Sequence, residues 1–296
     1  TVDDAVLRAV AMDEEHLAVM RALDLTAVVA VPLTGEGRQL GVLTIAADAR
    51  RGPFTVADVE VAEQLALQLG LVVARAQRFD LAVRTSHALQ DNLLPPAPPS
   101  LEGLAIAVRY LPATHGIDVG GDFYDVVRLP GEEIGLAVGD VVGHDITAAA
   151  TMGQLRSVHR ALLADGPAPG AVVDRLQAGW PLLGLRRMAT ALFASLDPVS
   201  GRLRIASAGH PPPLLLEAGR ARYLPVRPSR MLGAPPSPAV EWTGVLPCGA
   251  ALVLFTDGLV ESRSADIDEG LDRLLAVASS AGTSDPEALC DRLLSE

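Results

Sequence analysis

Three short segments each set an aspartate beside a glycine at the edge of an apolar run: Asp122 in DVGGDFYD, Asp140 in LAVGDVVGHD and Asp257 in LVLFTDGLVE. A carboxylate at the end of a hydrophobic strand is costly to desolvate unless it meets a partner. No arginine is adjacent to any of the three, and the chain contains no lysine. A divalent cation is then the natural partner, and hard carboxylate oxygens suit Mg²⁺ or Mn²⁺. Two such ions a few Å apart can activate a water for phosphoester cleavage. Asp-Gly is also ordinary turn chemistry, so any one segment alone has a bland reading. Three of them in one chain point to a metal-dependent hydrolase.

The composition narrows the classes further. All 24 basic residues are arginine, against 36 acids, for a net charge of −12. A chain without lysine cannot carry a Walker A loop, the ATP-pairing lysine of protein kinases, a Schiff-base lysine or a Ser–Lys dyad. A pI near 4.9 with no arginine-rich run lacks the footprint for nucleic acid or anionic lipid, so neither is expected as a partner. Cys248 and Cys290 are far apart in sequence, without zinc-type spacing, and suggest neither a disulfide framework nor a structural zinc. The longest apolar stretches are too short or interrupted to span a bilayer. A cytoplasmic location is the expectation.

At 296 residues the length fits about two domains of roughly 150 each. Leu17–Leu25 reads as an amphipathic helix, followed by strands at Thr26–Leu33 and Gln39–Ala47 joined by a glycine-containing hairpin turn. Thr55 and Asp58 form a capping-box pattern that starts a long helix. Within it Leu65, Leu69, Val72, Ala76, Phe79 and Val83 alternate by four and three, a coiled-coil seam, until the prolines at 95–99 end it. Such a helix either packs on its own domain or dimerises. Beyond it, strands are expected at Leu104–Pro112, Gly121–Leu129 and Glu133–Val142, and helices at Ile146–Leu163 and Pro169–Leu183. Further strands follow around 189–197, 202–209 and 212–218, with a pair at Val240–Leu246 and Ala251–Thr256, and two helical patterns close the chain. Strands and helices without strict alternation indicate an α+β fold with antiparallel sheets and helices outside.

The segments VGGDFYDVV, AVGDVVGHDITAAATM, MATALFASLDPVSGRLRIASAGHPPPLLL and LVLFTDGLVESR resemble, in order and spacing, the motifs of SpoIIE/RsbU-type phosphatases, a branch of the metal-dependent protein phosphatases related to protein phosphatase 2C. The resemblance runs from about Leu89 to Leu275. VPLTGEGRQLGVLTI and FTVADVEVAEQLALQLGLVVARA resemble the second half of a GAF sensor domain.

The resemblance implies a partial GAF-like domain over 1–75, a helical linker over 76–99, and an α-β-β-α phosphatase domain over 100–296. It further implies two Mn²⁺ or Mg²⁺ ions, with Asp122 bridging them, Asp140 and the Val141 backbone carbonyl as ligands, and Asp257 holding the pair. These residues act through metal-activated water rather than by direct attack. Gly121, Gly258, His144, Asp145 and His210 are further candidates.

The implied substrate is a phosphorylated anti-sigma-factor antagonist of the STAS type. The implied regulation is an unknown ligand or signal at the GAF part, acting through a homodimeric linker helix. Two departures stand out. The family reads Gly-His-Gly where this chain has Gly143-His144-Asp145, so Asp145 either caps the following helix or adds a carboxylate. The family's closing strand with a further metal aspartate is not matched before Glu296, which leaves weak metal binding and a catalytically impaired scaffold as the alternative. His16, His87, His115 and His159 show no zinc spacing, and Trp180 and Trp242 read as packing residues.

Overall fold

The computed structural model describes every residue except 1, 3, 94, 96, 112–119, 167, 262–265, 284 and 296, and leaves aside the side chains of 10, 82, 84–93 and 130. His87 and His115 therefore lie outside the described side chains. The chain divides into two compact units, Thr1–Arg84 and Thr85–Glu296.

The first unit starts with two short helices, α1 (Asp4–Val10) and α2 (Glu14–Ala22), the first of which sequence patterning had not indicated. An antiparallel hairpin of β1 (Leu25–Gly35) and β2 (Arg38–Asp48) follows. Its turn places both Glu36 and Gly37 at positive φ, the backbone twist that a tight hairpin needs. Helix α3 (Val56–Leu93) opens with the expected capping box: Thr55 N–H donates to Asp58 Oδ2 at 2.7 Å and Asp58 N–H to Thr55 Oγ1 at 3.3 Å. At 38 residues α3 is on the order of 57 Å long.

The stripe by which α3 meets the hairpin is made of small residues. Ala62 and Ala66 are buried against Val31, and a Cβ on Gly70 would lie 2.1 Å from the Thr34 carbonyl oxygen. The heptad seam is a different stripe: Leu69 is 43% exposed, Val72 63% and Phe79 53%. Packing within the first unit therefore does not account for the seam.

The second unit is built on two antiparallel sheets. The larger runs in the order β3 (Phe123–Arg128), β4 (Ile134–Val141), β5 (Ala189–Leu196), β6 (Arg202–Ala208), β9 (Glu241–Val245). The smaller runs β10 (Ala251–Val253), β7 (Leu214–Glu217), β8 (Arg220–Tyr223). One face of the large sheet packs on α4 (Ile146–Leu163) and α5 (Pro169–Leu183) through Phe123, Met152, Leu155, Val172, Leu176 and Phe193. Its other face meets the small sheet through Leu192, Ile205 and Leu215. The small sheet's outer face is covered by α6 (Ile267–Ser280) and α7 (Pro286–Leu294) through Leu216, Leu274 and Leu293. This is the α-β-β-α sandwich expected.

One expected strand requires correction, and one strand was not expected. Leu104–Pro112 is not a strand in its described part: beyond an isolated bridge between Leu101 and Leu104, residues 105–111 form no ladder. Apolar alternation alone cannot make a strand where no neighbouring edge takes up the backbone N–H and C=O groups. The two strands expected at Val240–Leu246 and Ala251–Thr256 form as β9 and β10, and they join different sheets. The hairpin partner β8 was missed because it is only four residues long, although Ala218 and Gly219, both at positive φ, mark its turn.

Candidate active site

Asp122 immediately precedes β3, and Asp140 is the penultimate residue of β4. Because Phe123 lies opposite Gly139, the register brings the two aspartates side by side at one end of the large sheet. The strand ends are held close by Val141 N–H donating to the Gly121 carbonyl at 3.1 Å. Only glycine fits at 121: a Cβ there would lie 2.1 Å from the Val141 carbonyl oxygen and 2.9 Å from Asp140 Oδ1. The third aspartate comes from the other layer, since Asp257 begins a short helical turn, Asp257–Leu259, just after β10.

The electrostatics fit a site built for cations. Burial, opposed by a hydrogen bond from Thr256 and reinforced by the charge of Asp257, pushes Asp122 up to about 6. Burial together with the charges of Asp122, Asp257 and Glu261 pushes Asp140 up to about 7. Carboxylates whose ionisation is opposed by burial and by neighbouring acids are stabilised when a cation binds beside them. The donors are all hard oxygens, the set that Mg²⁺ and Mn²⁺ prefer. Among the described residues, however, no three His, Cys, Asp or Glu side chains are gathered into a ready-made cage, so a bound ion would have to draw the carboxylates inward.

Glu261 is the acid that sequence reasoning missed. It lies four residues beyond Asp257, its N–H donates to the Asp257 carbonyl, and its charge reaches Asp140. The Asp257/Glu261 spacing of four was the available signal.

His210 is 4% exposed and both ring nitrogens have protein partners. Nε2 lies 3.0 Å from the Phe255 carbonyl, which can only accept, so Nε2 carries the proton and Nδ1 accepts from Thr190 Oγ1 at 3.0 Å. Burial, partly offset by the Phe255 carbonyl, lowers its pKa to about 4, so the ring is neutral. Thr190 lies opposite Asp140 in the β4–β5 register and Phe255 is two residues before Asp257. His210 thus joins the strand beside one carboxylate to the loop of another.

Asp145 is the N-cap of α4, accepting from Ala148 N–H at 2.9 Å, and it pairs with Arg187 Nη2 at 2.6 Å. Gly143 adopts φ +109, a conformation that L side chains rarely take. His144 is exposed beside it, and Gly258 lies in the turn that Asp257 opens. Cys248 and Cys290 are free thiols. Trp180 is buried in the α5 core, and Trp242 packs against the core between the sheets. No helix among the described residues is long and apolar enough to cross a membrane.

An α-β-β-α sandwich with aspartates converging from both sheets defines the class of protein phosphatase 2C-like folds. The model of the Stage II sporulation protein E (SpoIIE) family matches residues 130–296, more than half of the chain, and a GAF domain model matches residues 6–74. The chain belongs to the SpoIIE family, whose PP2C-like serine/threonine phosphatases are metal-dependent.

Among solved structures, the RsbU and RsbW domains of Rv1364c from Mycobacterium tuberculosis are 33% identical, with a TM-score of 0.53, over 59% of this chain and 51% of that one. The SiaA-PP2C domain of Pseudomonas aeruginosa shares the fold, with a TM-score of 0.59 at 17% identity over 75% of this chain and 89% of that one. Protein IcfG of Synechocystis sp. is 24% identical over 213 residues, 62% of this chain. This chain spans 33% of IcfG and about half of the Rv1364c structure.

Proposed function

We propose that this chain is a metal-dependent phosphatase acting on phosphoserine or phosphothreonine in a protein substrate. The observation that carries the reading is the placement of Asp122 and Asp140 side by side at one end of the large sheet, where burial first and then neighbouring acids, Asp257 among them, raise the pKa of both. Asp122, Asp140, Asp257 and the Val141 carbonyl would hold two Mn²⁺ or Mg²⁺ ions. When bound, these ions supply positive charge for the phosphoryl oxygens and lower the pKa of water at the site.

The chain's own residues do the positioning. Gly121 lets the two strand ends approach, Thr256 orients the Asp122 carboxylate through its hydrogen bond, and neutral His210 fixes the loop before Asp257. Asp145 serves as the helix cap, and His144, on the exposed loop, stays a candidate catalytic acid or ligand.

The substrate reading is a phosphorylated STAS-type anti-sigma-factor antagonist. It is supported by the motif resemblance and by the 33% identity to a structure containing an RsbU domain. Residues 1–75 act as the sensor and 76–99 as the linker to a phosphatase domain over 100–296. The exposed seam of α3 supports a homodimer through that helix.

With Mn²⁺ and a phosphoserine peptide, Asp122→Asn and Asp257→Asn are each expected to lower the rate at least a hundredfold; unchanged rates refute the mechanism. One observation favours a second reading, a partner-binding scaffold without turnover: no preassembled cage of ligands exists among the described residues. Calorimetry that detects no Mn²⁺ binding would decide for it.

A further inference from the structure

Among the described residues of the second unit, the least exposed carboxylate belongs to a residue outside the site. Asp125 lies on β3 three residues after Asp122, and its side chain is 0% exposed. Strand alternation turns Phe123 and Asp125 toward α4 and α5 while Asp122 looks the other way.

Three basic side chains of α4 converge on Asp125. Arg160 Nε donates to Oδ2 at 2.8 Å and its Nη2 to Oδ1 at 2.7 Å, the two-pronged geometry peculiar to guanidinium. Arg156 Nε stands 4.0 Å from Oδ1, and His159 Nδ1 stands 3.8 Å from Oδ2. Both of those nitrogens are buried without a hydrogen-bond partner and stand beside the Asp125 carboxylate. The His159 ring also rests on Phe193 of β5, with 5.0 Å between centroids.

These contacts close a ring of constraints around the site. From Asp122 the chain runs along β3 to Asp125, across the Arg160 pair to α4, back along α4 to its cap Asp145, and through the loop to Val141 and Asp140. The Val141 N–H to Gly121 carbonyl hydrogen bond completes the circuit. To the β3–β4 ladder the Asp125–Arg160 pair thus adds a second tie, through α4, between the strand that follows Asp122 and the segment that follows Asp140.

We propose that Asp125 is a positioning residue: its clamp on Arg160 fixes α4 to β3 and thereby sets the spacing of Asp122 and Asp140 required to hold the metal ions. This rests on the phosphatase reading above.

The test uses the full 296-residue chain and compares Asp125→Asn, Arg160→Gln and Arg160→Lys with two controls. Arg128→Gln, at the end of β3, removes an exposed ion pair with Glu132 of the following turn, and Val172→Ala opens a cavity in the α5 core away from the clamp. Mn²⁺ affinity is measured by calorimetry, and kcat and KM on p-nitrophenyl phosphate at saturating Mn²⁺.

The clamp predicts that Asp125→Asn and Arg160→Gln weaken Mn²⁺ binding at least tenfold and lower kcat with KM unchanged, and that Arg160→Lys recovers part of both. Both controls should stay within twofold of wild type. Should Asp125→Asn not fold, the Arg160 variants carry the test, since that side chain is 42% exposed. A folded Arg160→Gln protein with Mn²⁺ affinity within twofold of wild type overturns the proposal. So does a Val172→Ala protein that loses affinity equally, because the effect would then be general destabilisation. A wild-type chain that neither binds Mn²⁺ nor cleaves the ester overturns the phosphatase reading itself, and the clamp with it.

Discussion

Replacing Asp140 by asparagine should stabilise the metal-free protein and destabilise the metal-loaded one. Asp140 is pushed from an ordinary value near 3.8 to about 7, by burial first and by Asp122, Asp257 and Glu261 after it. A carboxyl whose folded pKa is raised contributes full stability below its unfolded pKa and loses it as pH rises through the folded value. At pH 8 without metal the wild type therefore holds an ionised Asp140 at a cost. Three decades in proton affinity at about 1.4 kcal/mol each set a ceiling of about 4 kcal/mol. The side chain is only partly buried, so solvent screening reduces the expected gain for Asp140→Asn to about 2 kcal/mol.

The assay is urea unfolding followed by tryptophan fluorescence. Both tryptophans, Trp180 and Trp242, lie in the second unit, so the signal reports on it. In EDTA the variant's advantage should shrink from about 2 kcal/mol at pH 8 to a few tenths by pH 4. With Mn²⁺ at a hundred times its dissociation constant the wild type should gain about 2.7 kcal/mol and the variant much less, reversing the order. A variant less stable than wild type in EDTA at pH 8, or an advantage that does not vary with pH, refutes the reasoning.

Gly121→Ala forces a methyl against the Val141 carbonyl, so we expect a loss of roughly 2 kcal/mol in urea unfolding and a tenfold or greater loss of Mn²⁺ affinity by calorimetry. His210→Ala strands the Thr190 hydroxyl and the Phe255 carbonyl in a new cavity; about 3 kcal/mol should be lost in the same unfolding assay. Asp145→Ala removes a helix cap and should cost about 1 kcal/mol by thermal melting while leaving Mn²⁺ affinity unchanged, which separates capping from ligation. Leu69→Asp combined with Val72→Asp should give monomers by light scattering if the exposed seam dimerises; persistent dimers would remove the seam from the regulatory picture.

Much of the second unit was legible because its elements announce themselves locally. Ile146–Leu163 and Pro169–Leu183 were bounded by an aspartate cap, a proline at the first turn and a glycine just past the end, and the structure keeps both spans. The three Asp-Gly segments could be singled out because a charge beside glycine at the end of an apolar strand is a local anomaly. The heptad seam was likewise legible, but the stripe that packs α3 on its hairpin was not. Alanine and glycine carry little hydrophobic signal, and Gly70 matters only because the Thr34 carbonyl presses on it.

The sequence by itself determined the types of the longer elements, the α+β class and the carboxylates that could meet a cation, since each of these depends on side-chain chemistry and period along one stretch of chain. The tertiary structure decided everything that depends on pairing across the chain. It placed β9 and β10 in different sheets and left 105–111 without a ladder. It locked His210 between Thr190 and Phe255 as a neutral brace. It also revealed Asp125, an unremarkable acid in sequence, wholly buried beneath Arg160. Desolvation and the charge of neighbouring acids, the two causes that raise Asp122 and Asp140, exist only once the strand ends and the Asp257 turn come together, because both fall away with distance and with access to water.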